Sequence, residues 1–359
     1  MVEKIAICLT NDLVYDQRLL KTCNALRKHF NFEILCLGVD RGREYSASDD
    51  AFEAFRFKMT FKKGPLFYLE YNLRLLIRLL RLRKEINKVL AFDADTLLAS
   101  GVFSYITQIP LYYDAHEWFS EVPELQQKPI VRTIWDIIER FGVKRAKACY
   151  TVGPKLAEIF TSKHAKPFQY IRNTPFFNEP PPVQSRAKMI LYQGALNEGR
   201  CLGLFLDFAK NLPEYNFVLA GDGDIAMELS ERIQKEVLIN VQMTGKLPPA
   251  DLKILTQQAT FGFNVLENKG KSYYYSLANK FFDYAAAGVI SINSPFPEYE
   301  DLIQKYDHAF MVEPQIDAIT NLIVGTGMEE LRLKQQNGYK MMRDINWEVE
   351  SEKLKLIFQ

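Results

Sequence analysis

The chain has little of what metal and redox sites are made from. Its five cysteines (Cys8, Cys23, Cys36, Cys149 and Cys201) are scattered through 359 residues, with no CxxC pair and no histidine beside them at ligand spacing. That excludes a disulfide scaffold or a zinc motif and suits reduced, buried thiols in a cytosolic protein. Charge of one sign is also lacking. Lys plus Arg number 45 against 44 Asp plus Glu, so the overall charge gives no argument for nucleic acid as a partner. No uncharged run is long enough to span a bilayer. The first residues pass at once into a short strand-like run, without the apolar region and cleavage site of a signal peptide. A cytoplasmic protein is expected, with contact at a membrane surface left open. No repeat of solenoid length is present.

What remains is the composition of a soluble globular protein, 48% apolar and 25% charged. The length exceeds most single cores, so two domains are expected. Strand-like runs alternate with helical ones: "KIAICLT", an amphipathic stretch over 16–30, "FEILCLG", "IPLYYDAHE", "ACYTVG" and "FQYIRN". Short buried strands separated by helix-length segments imply βα units and a parallel sheet. Residues 173–188, "NTPFFNEPPPVQSRAK", are proline-rich and polar and read as a linker. The alternation then restarts with "MILYQGA", "NFVLAGDGD", "INVQMTG", "ATFGFNV" and "GVISINS". We therefore expect two α/β domains, residues 1–175 and 188–340, and a C-terminal helix over 341–359 packing back toward the first. Ligands of open parallel sheets sit beyond the carboxyl ends of the strands. The polar clusters fall at such ends: Asn11 and Asp12, Asp114 to Glu117, Gly194 to Arg200, residues 221–224, and Gly245-Lys246. If the two domains face each other, these ends line one central cleft.

The segment "SLANKFFDYAAAG", residues 276–288, carries a lysine and an aspartate three apart among aromatics and alanines. Ser276 suits an N-cap and Gly288 a C-terminal stop. Asn279, Lys280 and Asp283 share a helical face. Free N–H groups at a helix start suit a phosphate, Lys280 adds a point charge, and Asp283 suits the hydroxyls of a ribose. The bland alternative is a surface Lys–Asp pair. At His116, in "DAHE", a neutral imidazole can donate to a hydroxyl, and its ordinary pKa permits proton transfer. The bland alternative there is a structural histidine. Asp93 and Asp95 have the spacing of a metal-binding carboxylate pair, but in the wrong domain for a donor, so no metal is expected.

"SLANKFFDYAAAG" resembles the donor-binding signature of GT-B glycosyltransferases, in particular the retaining family 4, group 1 enzymes. "NDLVYDQRLLKTCNALRK", "LYYDAHEWFSEVPEL", "YTVGPKLAEIF", "IRNTP", "LYQGALNEGR" and "FVLAGDGD" follow in the family's order and extend the likeness over nearly the whole chain. The resemblance implies a GT-B fold, two Rossmann-like doubly wound domains facing a central cleft. It also implies sugar transfer from a nucleotide-diphosphate sugar to a saccharide or lipid-linked acceptor, with no resident cofactor or metal. On this resemblance Lys280 and Arg200 meet the donor diphosphate, with Gly194 permitting close backbone approach. Asp283, one methylene shorter than the family's usual glutamate, meets the ribose, while Asn279 shares its face. Lys246 and Leu247 meet the base, and the backbone of Ser276 and Leu277 meets the sugar. Tyr275 stands where many members carry a sugar-binding glutamate, and the second basic residue many relatives have at Ala195 or Cys201 is missing. His116 supports the transferred sugar, and Asn11 and Asp12 face donor phosphates or acceptor.

Residues 64–88 combine Leu69, Leu73, Leu76, Ile77 and Leu80 at helical spacing with Arg74, Arg78, Arg81, Arg83, Lys84 and Lys88. They read either as a basic amphipathic helix on an anionic membrane or as an ordinary packed helix with a basic solvent face. Two other functions remain beside transfer: a sugar-nucleotide epimerase or hydrolase on the same fold, and a non-catalytic sugar-nucleotide-binding module.

Overall fold

A computed structural model describes residues 2–11, 13, 16–42, 52–179 and 187–359; Asp12 and part of the expected linker lie outside the described residues. The chain forms two compact units. Unit 1 is Met1–Asn173 with Glu350–Gln359, and unit 2 is Thr174–Val349.

Unit 1 is built on a seven-stranded parallel sheet of β1 (Lys4–Cys8), β2 (Glu33–Val39), β3 (Glu53–Phe57), β4 (Lys88–Phe92), β5 (Leu111–Ala115), β6 (Ala148–Thr151) and β7 (Phe168–Tyr170). Their spatial order is β3-β2-β1-β4-β5-β6-β7. β1, β4 and β5 are buried almost end to end, as strands covered on both faces must be. The amphipathic stretch becomes helix Gln17–Phe30, started by Asp16, whose carboxylate accepts the Leu19 N–H at 2.9 Å.

Two strands, β3 and β4, were not anticipated. Each has five residues, and β4 leads into a helical turn at Ala94 with no glycine or proline to mark its end. The 64–88 run divides accordingly. Its helix is Gly64–Arg81, and Lys88 opens β4 and pairs with Glu3. The helix buries Phe67, Tyr71, Asn72, Leu75 and Leu79, so Leu69, Leu73 and Ile77 of the expected stripe point outward.

Unit 2 repeats the plan with β8 (Met189–Gln193), β9 (Asn216–Ala220), β10 (Val241–Gly245), β11 (Phe261–Asn264), β12 (Ile290–Asn293) and β13 (Phe310–Met311). These six parallel strands run in the order β10-β9-β8-β11-β12-β13. Phe205, Phe208, Phe217 and Phe263 fill the core on one face of this sheet. On the other side, Phe281, Phe282, Tyr299 and Met341 join three helices, Asn279–Ala286, Pro297–Tyr306 and Met328–Asp344.

The single C-terminal helix expected over 341–359 is instead the end of Met328–Asp344 followed by Trp347–Glu352 and Leu354–Ile357. Asn346 makes the break. Its amide donates to the carbonyls of Met342 and Arg343, and its side-chain oxygen accepts the Val349 N–H at 3.0 Å. One side chain thus ends one helix and starts the next.

In both sheets the chain reverses its direction of winding beside the first strand, between β1 and β4 and between β8 and β11. Open α/β sheets bind ligands at such switch points.

Candidate active site

At the switch point of unit 2, β8 ends in Gly194 with φ 131°, a backbone conformation that favours glycine. Its loop lies against residues 221–224. Leu196 N–H donates to Asp222 O, and a Cβ on Gly221 would lie 1.8 Å from Gly194 O. The "GDGD" turn therefore owes its first glycine to backbone approach. Over this loop sits Lys280, 6% exposed, its Nζ 3.8 Å from the centroid of the Tyr192 ring and without a hydrogen-bond partner. Burial and then the like charge of Arg200 hold its pKa well below the ordinary lysine value. Arg200 lies 5.4 Å from the centroid of the Tyr273 ring, and its Nε also has no partner. Two basic side chains are thus packed together on aromatic rings with donors unspent. The surface Lys–Asp pair is excluded by the burial of Lys280.

Helix Asn279–Ala286 presents that lysine, but not with the cap expected. Its N-cap is Ala278, whose N–H donates to the Tyr299 hydroxyl at 3.2 Å. The Ser276 hydroxyl instead donates to Tyr273 O at 2.8 Å, because a separate turn, Lys271–Tyr274, precedes it. Gly288, at φ 68°, ends the helix. The shared face is broken up: Asn279 is exposed, Lys280 buried and Asp283 half-buried. Leu277 is buried among the aromatics below. Lys246 is exposed after β10, while Leu247 packs under the sheet with Leu191 and Tyr284. Gly194, Arg200 and Lys280 are brought together. Tyr192 and Tyr273, which complete their surroundings, were not singled out from the sequence.

At the switch point of unit 1, His116 follows β5 and is held from two sides. Asp93, after β4, accepts the His116 backbone N–H at 2.8 Å, and its second oxygen lies 3.1 Å from Nδ1. Nε2 lies 3.1 Å from Asp114 Oδ2, an ion-pair contact poorly aligned for a hydrogen bond. Asp114 is buried and forked by Arg18, with Nε to Oδ2 at 3.0 Å and Nη2 to Oδ1 at 2.7 Å. Burial alone would lower the His116 pKa, but Asp93 and Asp114 push it up to about 10. Burial likewise opposes the charge on Asp114, yet Arg18 and then His116 hold its carboxyl below the usual range.

His116 is therefore an imidazolium at neutral pH, not the neutral donor or proton acceptor its ordinary pKa suggests. Asp93 adopts φ 59°, a strained backbone for a non-glycine residue, so the turn is shaped around that contact. Nearby, burial and then the Asp93 charge push Asp95 up to about 7, and Thr10 donates to its carboxylate. Asn11 is exposed and donates to Asp16 at 3.2 Å, supporting the helix cap. Arg18 is a functional candidate that nothing in the sequence marks, and Asp93, there only half of a carboxylate pair, holds His116 instead. Among the described residues no three His, Cys, Asp or Glu side chains are placed to hold a metal ion.

A family profile described as glycosyl transferase-like matches residues 200–343, the segment that includes Arg200 and Lys280. Among solved structures, the sucrose-phosphate synthase of Thermosynechococcus elongatus is 14% identical with a TM-score of 0.78, over 99% of this chain and 98% of that one. HepE of Anabaena, solved with UDP and glucose, is 13% identical with a TM-score of 0.77, over 98% of both chains. WaaG, a glycosyltransferase involved in lipopolysaccharide biosynthesis, is 12% identical with a TM-score of 0.69, over 98% of this chain and 99% of that one. No curated protein sequence matches the chain. At such identities the structures establish the fold, two Rossmann-like domains of the GT-B kind, and the profile marks residues 200–343 as glycosyl transferase-like.

Proposed function

We propose that the chain transfers a sugar, with retention, from a nucleotide-diphosphate sugar to a saccharide or lipid-linked acceptor in the synthesis of a cell-surface polysaccharide or glycoconjugate. It would do so in the cytoplasm, at the inner face of a membrane. The observation that carries this reading is Lys280: a buried lysine Nζ with no hydrogen-bond partner, beside a guanidinium, behind a glycine loop at a strand switch point. Such a group is costly without a counter-charge and fits a diphosphate. UDP is the first nucleotide to test, given HepE.

In the proposed reaction the bond from the anomeric carbon to the diphosphate oxygen breaks, and its electron pair leaves with the diphosphate. The acceptor hydroxyl attacks the same face, and its proton passes to the departing phosphate oxygen. Arg200 and Lys280 neutralise that diphosphate, so metal ions are not required. Asp283 holds the ribose, the Lys246–Leu247 backbone the base, and the Ser276–Leu277 backbone the sugar. His116, already protonated, supplies fixed positive charge and no base. That fits a mechanism in which the leaving group itself takes the proton. Contact with the membrane would come through the outward face of helix Gly64–Arg81. Among the described residues no helix is long and apolar enough to cross one.

The test is a panel of nucleoside diphosphates screened by thermal shift, followed by transfer assays with radiolabelled UDP-sugars. A rise in Tm with UDP that Lys280→Met abolishes supports the assignment. Absence of binding by every nucleoside diphosphate would overturn it.

A further inference from the structure

A pocket of about 370 Å³ opens at the carboxyl ends of β2 and β3, outside the residues assigned above. It is lined by Val39, Met59, Phe61 and Phe67 and by three cations, Arg41, Lys58 and Lys62, with Asp40 its one carboxylate. That carboxylate is already engaged, accepting the Gly42 N–H at 3.0 Å and lying 3.6 Å from Arg56. The nearby Glu70 is spent as well. It accepts the backbone N–H groups of Thr60 and Phe61 and pairs with Arg74, which fixes the loop carrying Lys58 and Lys62. Arg41 is tied to the pocket floor, 5.5 Å from the centroid of the Phe67 ring, and donates to Thr10 O at 3.1 Å. Thr10 in turn donates to Asp95, so the pocket adjoins the switch point that holds His116. Among the described residues neither Lys58 nor Lys62 forms an ion pair. The result is a small aromatic-floored pocket with an excess of positive charge.

Beside this pocket begins an apolar row that is exposed among the described residues. Leu66, Leu69, Leu73 and Ile77 lie three to four residues apart on helix Gly64–Arg81, with exposures from 43% at Ile77 to 63% at Leu69. Leu66 adjoins Phe67 of the pocket wall. A cationic pocket at the head of an apolar stripe has the two-part chemistry of an amphiphilic anion. We propose that this pocket binds the phosphate group of a long-chain phosphate ester, whose chain lies along Leu66, Leu69, Leu73 and Ile77, and that this is the anchor of the acceptor. The inference deepens the acceptor half of the proposed function and rests on it for that role.

The test uses the full chain and titration calorimetry with dodecyl phosphate below its micelle concentration. Inorganic phosphate, dodecyl maltoside and UDP are titrated alongside. Dodecyl phosphate is expected to bind at least about tenfold more tightly than inorganic phosphate or dodecyl maltoside, since only it engages both parts of the site. The exposed pair Lys58→Gln/Lys62→Gln should weaken it by about tenfold, as should Leu69→Ser/Leu73→Ser, with UDP affinity unchanged in both. Equal binding of dodecyl maltoside would overturn phosphate recognition, and equal binding of inorganic phosphate would overturn the apolar arm. Dodecyl phosphate affinity unmoved by the lysine pair would overturn the pocket. So would charge-dependent flotation with phosphatidylserine vesicles that the lysine pair leaves intact, which would make this a generally basic, anion-attracting surface rather than a phosphate pocket. Dodecyl phosphate binding through the pocket in a protein that binds no nucleoside diphosphate would leave the site standing and remove the transferase reading.

Discussion

Lys280 and His116 are buried basic groups with opposite surroundings. Lys280 has only the like charge of Arg200 beside it, so its folded pKa falls below the ordinary 10.5. Between the two values the unfolded chain holds a proton that the native state lacks, so stability rises with pH. Lys280→Met keeps the length and removes the charge. We expect that rise to vanish from urea midpoints measured across alkaline pH, and nucleoside-diphosphate affinity to fall by about tenfold or more. His116 runs the other way, raised from 6.5 to about 10. Its contribution is fully present below pH 6.5 and is lost as pH climbs to about 10. Asp93→Asn should bring the ring's titration, followed by NMR, back toward 6.5; an unmoved titration would release Asp93 from its role. His116→Ala should cut turnover by a factor on the order of a hundred, with much less effect on nucleotide affinity. The sequence made Gly194, Arg200 and Lys280 legible because each belongs to a local motif at a strand end. Arg18 was not legible: it sits on the buried face of its helix, and its partner Asp114 is 96 positions away.

At the scale of elements, the two central strands of unit 2 depend on one side chain. β8 and β11 pair only at Ile190 with Phe261 and Leu191 with Gly262. Beyond that, the Tyr284 hydroxyl takes over, accepting the Gln193 N–H at 3.2 Å and donating to Leu191 O at 2.9 Å. The Tyr284 ring lies against Gly262, where an added Cβ would come within 2.4 Å of it. Tyr284→Phe strands a buried N–H and should cost about 1–3 kcal/mol in urea unfolding. Gly262→Ala should cost a similar amount by crowding the ring. Because Gln193 precedes Gly194, both variants should also weaken UDP, read by the same thermal shift. The alternation of strands and helices was legible because buried parallel strands are short apolar runs between helix-length segments. β3, β4 and the two-residue β13 were not, and missing β4 hid the meaning of Asp93. A carboxylate at an unrecognised strand end looked like half of a metal motif rather than the clamp on His116.

For the molecule as a whole, a bound nucleoside diphosphate should stabilise by about 2.7 kcal/mol at a hundred times its Kd, a shift readable by calorimetry. Unit 1 has a second requirement. Its sheet is finished at Tyr170, yet residues from the far end of the chain complete its packing. Phe358 is buried, stacked 4.3 Å from the Tyr112 ring and packed against Phe30 and Phe32. Lys147 reaches Gln359 O at 2.6 Å, and Glu350 receives the Arg172 backbone N–H and guanidinium. Phe358→Ala should cost roughly 3 kcal/mol in unfolding of unit 1. The order of manufacture makes this matter. A ribosome delivers all seven strands of unit 1 early, then must make the whole of unit 2 before the residues that cover Tyr112 emerge. Until then the nascent first half carries an uncovered aromatic patch, at the stage when sticky surfaces are captured by chaperones or by neighbouring chains.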